Sequence, residues 1–141
     1  MGEAVILTTV EKVLFLKSVE IFERAAIEEL GHIAALSREA RFQAGAAIYR
    51  QGDPLESVYI IVTGRAAIQD GERIIREVGE KHAIGILASL DASRALRTVV
   101  ALEPVHALQL AVEDFHDLLS SDFELVKAVF RVIARHIREG F

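Results

Sequence analysis

The chain has 141 residues, 52% of them hydrophobic, with 21 acidic against 16 basic side chains and no cysteine. That length is near the usual size of one folding unit, and the missing cysteine excludes disulfides, thiolate zinc centres and cysteine nucleophiles. The net charge of −5 argues against a face that grips nucleic-acid phosphates, since each such contact needs a cation, and no apolar run approaches the roughly 18 residues that span a bilayer.

The segment Met1 to Thr9 carries no basic stretch and too short an apolar run for a secretory leader. Ile6 stands where an N-myristoylation motif has Ser or Thr. With no cysteine and no leader, the expected setting is the cytoplasm. The first helix signal is Thr8-Thr9-Val10-Glu11, in which Thr8 as N-cap and Glu11 form a capping box. Val10, Val13, Leu14 and Leu16 then give an apolar face to about Lys17, and Val19 and Phe22 extend a buried turn. A second helix is expected from about Arg24 to Leu36, with Ile27, Leu30, Ile33 and Ala34 on one face.

From Arg41 to Val112 the pattern changes to about eight short β-type runs divided by turn residues. Phe42 precedes Gly45, Ile48-Tyr49 precede Gly52-Asp53-Pro54, and Val58 to Val62 ends at Thr63-Gly64. Ala66 to Ile68 ends at Asp70-Gly71, a tight-hairpin signal, and Ile74-Ile75 lead to Val78-Gly79. Thr98–Leu102 and Ala107–Leu110 read as a last pair around Glu103-Pro104. Ile86 to Leu90 reads as one inserted helical turn. A short helix follows from Val112 to about Leu119. A second capping box, Ser121 with Glu124, launches a long helix to about Glu139, with Phe123, Val126, Phe130, Ile133 and Ile137 at spacings of three and four.

One domain over residues 1–141 is therefore expected, with helices over about 8–36, a β-roll over about 41–112 and helices over about 113–139. Helices at the ends and strands between argue for an α+β, mainly β, antiparallel barrel or roll, and against βαβ alternation. Phe123, Phe130 and Ile137 are spaced like heptad positions. That spacing suits either a homodimer through this helix or packing onto the chain's own barrel. Arg131, Arg135 and Arg138 fall along one side and complement the negative helix end.

Chemistry-bearing motifs are absent. His32, His82, His106, His116 and His136 show no zinc spacing, and each is expected at the surface or half-buried. There is no P-loop, GxGxxG or GxSxG. Adjacent carboxylates such as Glu28-Glu29 point to different sides of a helix and make no acid–base couple. The expectation is a non-enzyme with no required cofactor and no metal.

One ordered set of residues is more specific. Gly45, Gly52-Asp53-Pro54 and Val58-Tyr59-Ile60-Ile61-Val62-Thr63-Gly64 are followed by Gly85-Ile86-Leu87-Ala88-Ser89-Leu90 and Thr98-Val99-Val100-Ala101. Together with the lead-in Val13 to Phe22, this resembles the cyclic-nucleotide-binding domain family, over about Thr8 to Arg138. The resemblance implies a double-stranded β-helix, or jelly roll, flanked by helices. It also implies a phosphate-binding turn at Gly85 to Ala88 whose amides face the ligand, and a ligand that is cAMP, cGMP or another phosphate-bearing small molecule. In the family a Glu directly after the cassette Gly holds the ribose hydroxyl, and an Arg ten residues after that Gly pairs with the phosphate. Here those positions are Ile86 and Ala95, and Lys81-His82 replace a usual Gly-Asp.

Arg94, one residue early, and Arg97, on the same side of an extended chain as Ala95, are candidate substitutes, with Ser93 and Thr98 as hydroxyl donors. The candidate ligand-binding set is thus Gly85, Ile86, Leu87, Ala88, Arg94, Ala95, Arg97 and Thr98. Hydrogen bonds to charged groups contribute about 1.5–3 kcal/mol each, so losing both anchors weakens a micromolar site to roughly millimolar. Two functions stay open. One is a regulatory sensor with weakened or altered cyclic-nucleotide binding, its last helix moving as a lid or dimer contact. The other is a degenerate copy kept for protein interaction.

Overall fold

The computed structural model describes residues 6–91 and 94–138. Ser93 and Glu139, named above, lie outside the described residues. Helix α1 (Thr9–Lys17) starts on the expected capping box: the Thr8 hydroxyl accepts from the Glu11 amide at 3.1 Å and the Glu11 carboxylate accepts from the Thr8 amide at 2.8 Å. A 3₁₀ turn, Glu20–Phe22, and α2 (Ile27–Leu36) follow. The apolar faces are narrower than periodicity suggests. Leu16, Leu30, Ile33 and Ala34 are buried, whereas Val10, Leu14 and Ile27 are exposed. Ile27 opens α2, and Arg24 lies before it.

Among the described residues, eight strands form two antiparallel sheets. The strands are β1 (Arg38–Phe42), β2 (Ala47–Tyr49), β3 (Ser57–Thr63), β4 (Ala66–Asp70), β5 (Arg73–Val78), β6 (Ala83–Ile84), β7 (Thr98–Ala101) and β8 (Val105–Ala111). One sheet has the order β1-β8-β3-β6 and the other β2-β7-β4-β5. The expected hairpin is present, with Asp70 opposite Arg73 across Gly71-Glu72. Two expectations need correction. The first strand begins at Arg38, where charged residues hide it from a hydrophobicity reading. The segments on either side of Glu103-Pro104 do not pair: β7 lies between β2 and β4, while β8 lies between β1 and β3. This corner carries the chain from one sheet to the other.

Two cores result, and strand periodicity separates them. Side chains alternate across a strand with period two. Val58 and Ile60 of β3 and Leu108 and Leu110 of β8 face the helices, in a core with Phe22, Leu30, Phe115 and Val129. Ile61, Val105 and Ala107 turn inward against Ala66, Val99 and Ala101 of the other sheet. With both faces covered, β3 needs an unbroken apolar run. The buried His106 departs from the surface or half-buried expectation: its Nε2 lies 2.7 Å from Glu39 Oε1. Burial opposes ionisation of Glu39, but the Leu7 amide at 2.8 Å and His106 outweigh it and hold this carboxyl below its usual range.

Inserted between β6 and β7 is α3 (Ile86–Asp91), and after β8 come α4 (Val112–Ser121) and α5 (Phe123–Arg138). The second capping box does not form as expected. Ser121 closes α4, bonding back to the Asp117 and Leu118 carbonyls, and Asp122 Oδ1 accepts from the Leu125 amide. The expected apolar face of α5 also divides. Leu125, Ala128 and Val129 are buried on the chain's own core, with Val132 and Ile133 packed beside them. Phe123, Phe130 and Ile137 point outward, 72%, 62% and 65% exposed.

The junction of α2 with α5 holds two carboxyls. A hydrogen bond with Asp122, then burial, then the charge of Asp122 push Glu29 up from 4.5 to about 7. A raised carboxyl favours the folded protein fully below its unfolded value, and this contribution is lost as pH rises towards 7. Stability should therefore fall by roughly 1–2 kcal/mol between pH 5 and pH 8, allowing for solvent screening of a partly exposed pair. Urea titrations of wild type and Glu29→Gln check this: the variant should lose most of that slope.

Candidate functional site

Gly85 sits where β6 ends and α3 begins, with φ +95°. An added Cβ would lie 2.5 Å from the Tyr49 hydroxyl. Glycine is therefore required twice, for the left-handed backbone and for the close approach. The Tyr49 hydroxyl donates to the Ser57 carbonyl and lies 3.3 Å from the Ile84 carbonyl. Burial, with Tyr59 beside it, pushes the Tyr49 phenol far up, so it stays a neutral donor that fixes this corner. The turn is braced further on. The Ser89 amide bonds the Gly85 carbonyl at 2.9 Å, and the Ser89 hydroxyl bonds the Ile86 carbonyl at 2.6 Å. His116 Nε2 of α4 reaches the Ser89 carbonyl at 2.6 Å.

Beside this turn opens a cavity of about 610 Å³. Its α3 wall is Ile86, Leu87 and Ala88. The roll supplies Tyr49, Leu55, Ile68 and Val99. Val19 and Ile21 of the N-terminal turn and Val132 and Ile133 of α5 complete its apolar lining. Arg76, Lys81, His82, Arg97 and Arg135 also belong to its lining. The only carboxylate among its described lining residues is Glu20, which pairs with Arg135.

The expected set is thus only partly gathered here. Gly85, Ile86, Leu87, Ala88, Ala95 and Arg97 line the cavity. Arg94 and Thr98 do not. The Arg94 guanidinium donates to the Gly52 carbonyl at 2.8 Å, and Thr98 Oγ1 accepts from the Gln51 amide at 3.0 Å. Both serve the Gly52-Asp53-Pro54 turn, which is laddered to this segment through Gly52–Ala95 and Ala95–Asp53 backbone bonds of 2.9 Å. Of the two candidate substitutes, Arg97 belongs to the cavity lining and Arg94 does not. Arg97 Nη1 lies 3.1 Å from Asp70 Oδ2. Sequence reasoning missed Arg76 and the α5 residues Val132 and Ile133, because nothing local marks a side chain that meets the cavity only through the fold.

Among the described residues no group of His, Asp and Glu could hold a metal ion, and no helix is long and apolar enough to cross a membrane. In sequence the chain is 26% identical over 130 residues to a CRP-like cAMP-activated global transcriptional regulator of Mycobacterium tuberculosis, a match covering 84% of this chain and 58% of the regulator. It is also 26% identical over 126 residues to an uncharacterized NTE family protein of the same species, covering 89% of this chain and 22% of that protein. The chain thus spans less than two thirds of these relatives. In structure it is similar to the sensor domain of the transcriptional regulator DNR from Pseudomonas aeruginosa, with TM-score 0.80, 20% identity, and 94% and 93% of the two chains covered. That likeness shows the fold, a helix-flanked antiparallel jelly roll. The family model of the cyclic nucleotide-binding domain matches residues 39–122, which include both sheets and the Gly85 turn, and the chain belongs to that family.

Proposed function

We propose that this chain is a regulatory, non-catalytic sensing module whose cavity binds a ligand, with cyclic-nucleotide binding weakened or altered. The observation that carries the reading is the cavity itself. The turn and its glycine geometry are kept, while Ile86 and Ala95 occupy the positions of the family's acid and base. A ribose hydroxyl placed against α3 meets an isoleucine, and a cyclic phosphate meets a methyl group where a guanidinium is usual. The remaining cation on that side, Arg97, is already paired with Asp70. The relative named as cAMP-activated makes cAMP the first nucleotide to test. The cytoplasm is the proposed setting.

A second reading, a dimerisation or protein-interaction module, is favoured by the exposed Phe123, Phe130 and Ile137, which share one heptad-spaced stripe on α5. Isothermal titration with cAMP and cGMP to millimolar levels, with light scattering on the same sample, separates the two. Saturable binding with Kd in the range of about 0.1–1 mM supports the sensor. No heat with either nucleotide and a stable dimer support the second reading.

A further inference from the structure

We infer that the ligand of this cavity is an amphiphilic monoanion, a carboxylic acid with a hydrocarbon body, rather than a nucleotide. This rests on the reading that the cavity takes a ligand at all. Each element around it contributes apolar side chains: Ile86 from α3, Ile68 and Val99 from the roll, Ile21 from the N-terminal turn, and Ile133 from α5. A sugar would find one carboxylate among the described lining residues to accept from its hydroxyls, Glu20, which is already engaged by Arg135. Leaving such groups unpaired costs affinity, whereas each buried methylene gains it.

Two cations of the lining have no partner among the described residues to neutralise them. Arg76 of β5 is half-buried, and Lys81 is exposed with φ +71°. Neither forms an ion pair among the described residues, in contrast to Arg97 and Arg135, which do. A mainly apolar chamber with two uncompensated cations in its lining is complementary to a molecule with one anionic head and no other polar groups.

The test is a thermal-shift and calorimetric titration of the chain with decanoate below its micelle concentration, in parallel with 1-decanol, butanoate, cAMP and cGMP. Decanoate should stabilise saturably at one site. Decanol should bind about tenfold or more weaker for want of the head, and butanoate should not bind for want of the body. Arg76→Gln and Lys81→Gln should each weaken decanoate by about tenfold and leave decanol unchanged. Ala95→Phe, which narrows the cavity, should weaken both about tenfold, with circular dichroism confirming the fold. Decanoate binding that is unchanged by Ala95→Phe, or equals that of decanol, overturns the assignment. Saturable cAMP or cGMP binding without decanoate binding overturns it too, but leaves the sensor reading standing. Silence towards every probe removes both.

Discussion

Ile86→Glu combined with Ala95→Arg should raise the affinity for cAMP by about 100- to 10,000-fold over wild type, measured by isothermal titration. Ile86 is the first residue of α3 and lines the cavity, and Ala95, 6% exposed, lines it too. The backbone that would present a carboxylate and a guanidinium is therefore in place. Each restored charged hydrogen bond contributes about 1.5–3 kcal/mol, which sets the range. Ala95→Arg alone should supply the larger part, because it meets a full phosphate charge. Ile86→Glu alone should help little and should lower stability, since it places a carboxylate among isoleucines. An unchanged titration in a folded double variant would show that the Gly85 turn does not face a nucleotide phosphate.

Gly64→Ala should destabilise the fold by about 3–5 kcal/mol, the largest loss expected from adding one methyl group anywhere in the roll. Gly64 has φ +102°, and a Cβ there would run into the Pro104 carbonyl and lie 2.9 Å from Val105 Cα. Both obstacles are backbone, so no side-chain rotation relieves them. Gly45 is the control. Its φ is +87°, but a Cβ would meet nothing within 4 Å, so Gly45→Ala should cost only about 1–2 kcal/mol of left-handed strain. Equal midpoints for the two variants in urea would mean that Gly64 is confined by conformation alone.

The local features were legible because their signals are local. Thr8 and Glu11 cap α1 through atoms three residues apart, and the Asp70-Gly71 signal gives its hairpin. The Gly85 turn, with its positive φ, stands where the glycine and the following Ile-Leu-Ala-Ser-Leu run put it. What was hidden depends on distant partners. Arg38 and Glu39 join a strand because β8 offers them an edge, not because they are apolar. His106 is buried because Glu39 waits for it on the neighbouring strand. On α5, Phe123, Phe130 and Ile137 satisfy the same helical spacing as Leu125, Val129 and Val132, and only the position of the roll selects which set is covered. The site divides in the same way. The proposed loss of the two anchors rests on Ile86 and Ala95, which the sequence shows, whereas the lining from the N-terminal turn and α5 exists only once the ends of the chain meet.

At the corner where Gly64 touches Pro104, two crossings between the sheets press against each other. One takes the chain from β3 to β4, the other from β7 to β8. Apart from the β4–β5 hairpin, the ladders join strands that are remote along the chain. Such an arrangement assembles slowly, because long loops must close before any ladder is rewarded. Because the two crossings meet at one corner, a shift of either chain segment there is passed directly to the other sheet.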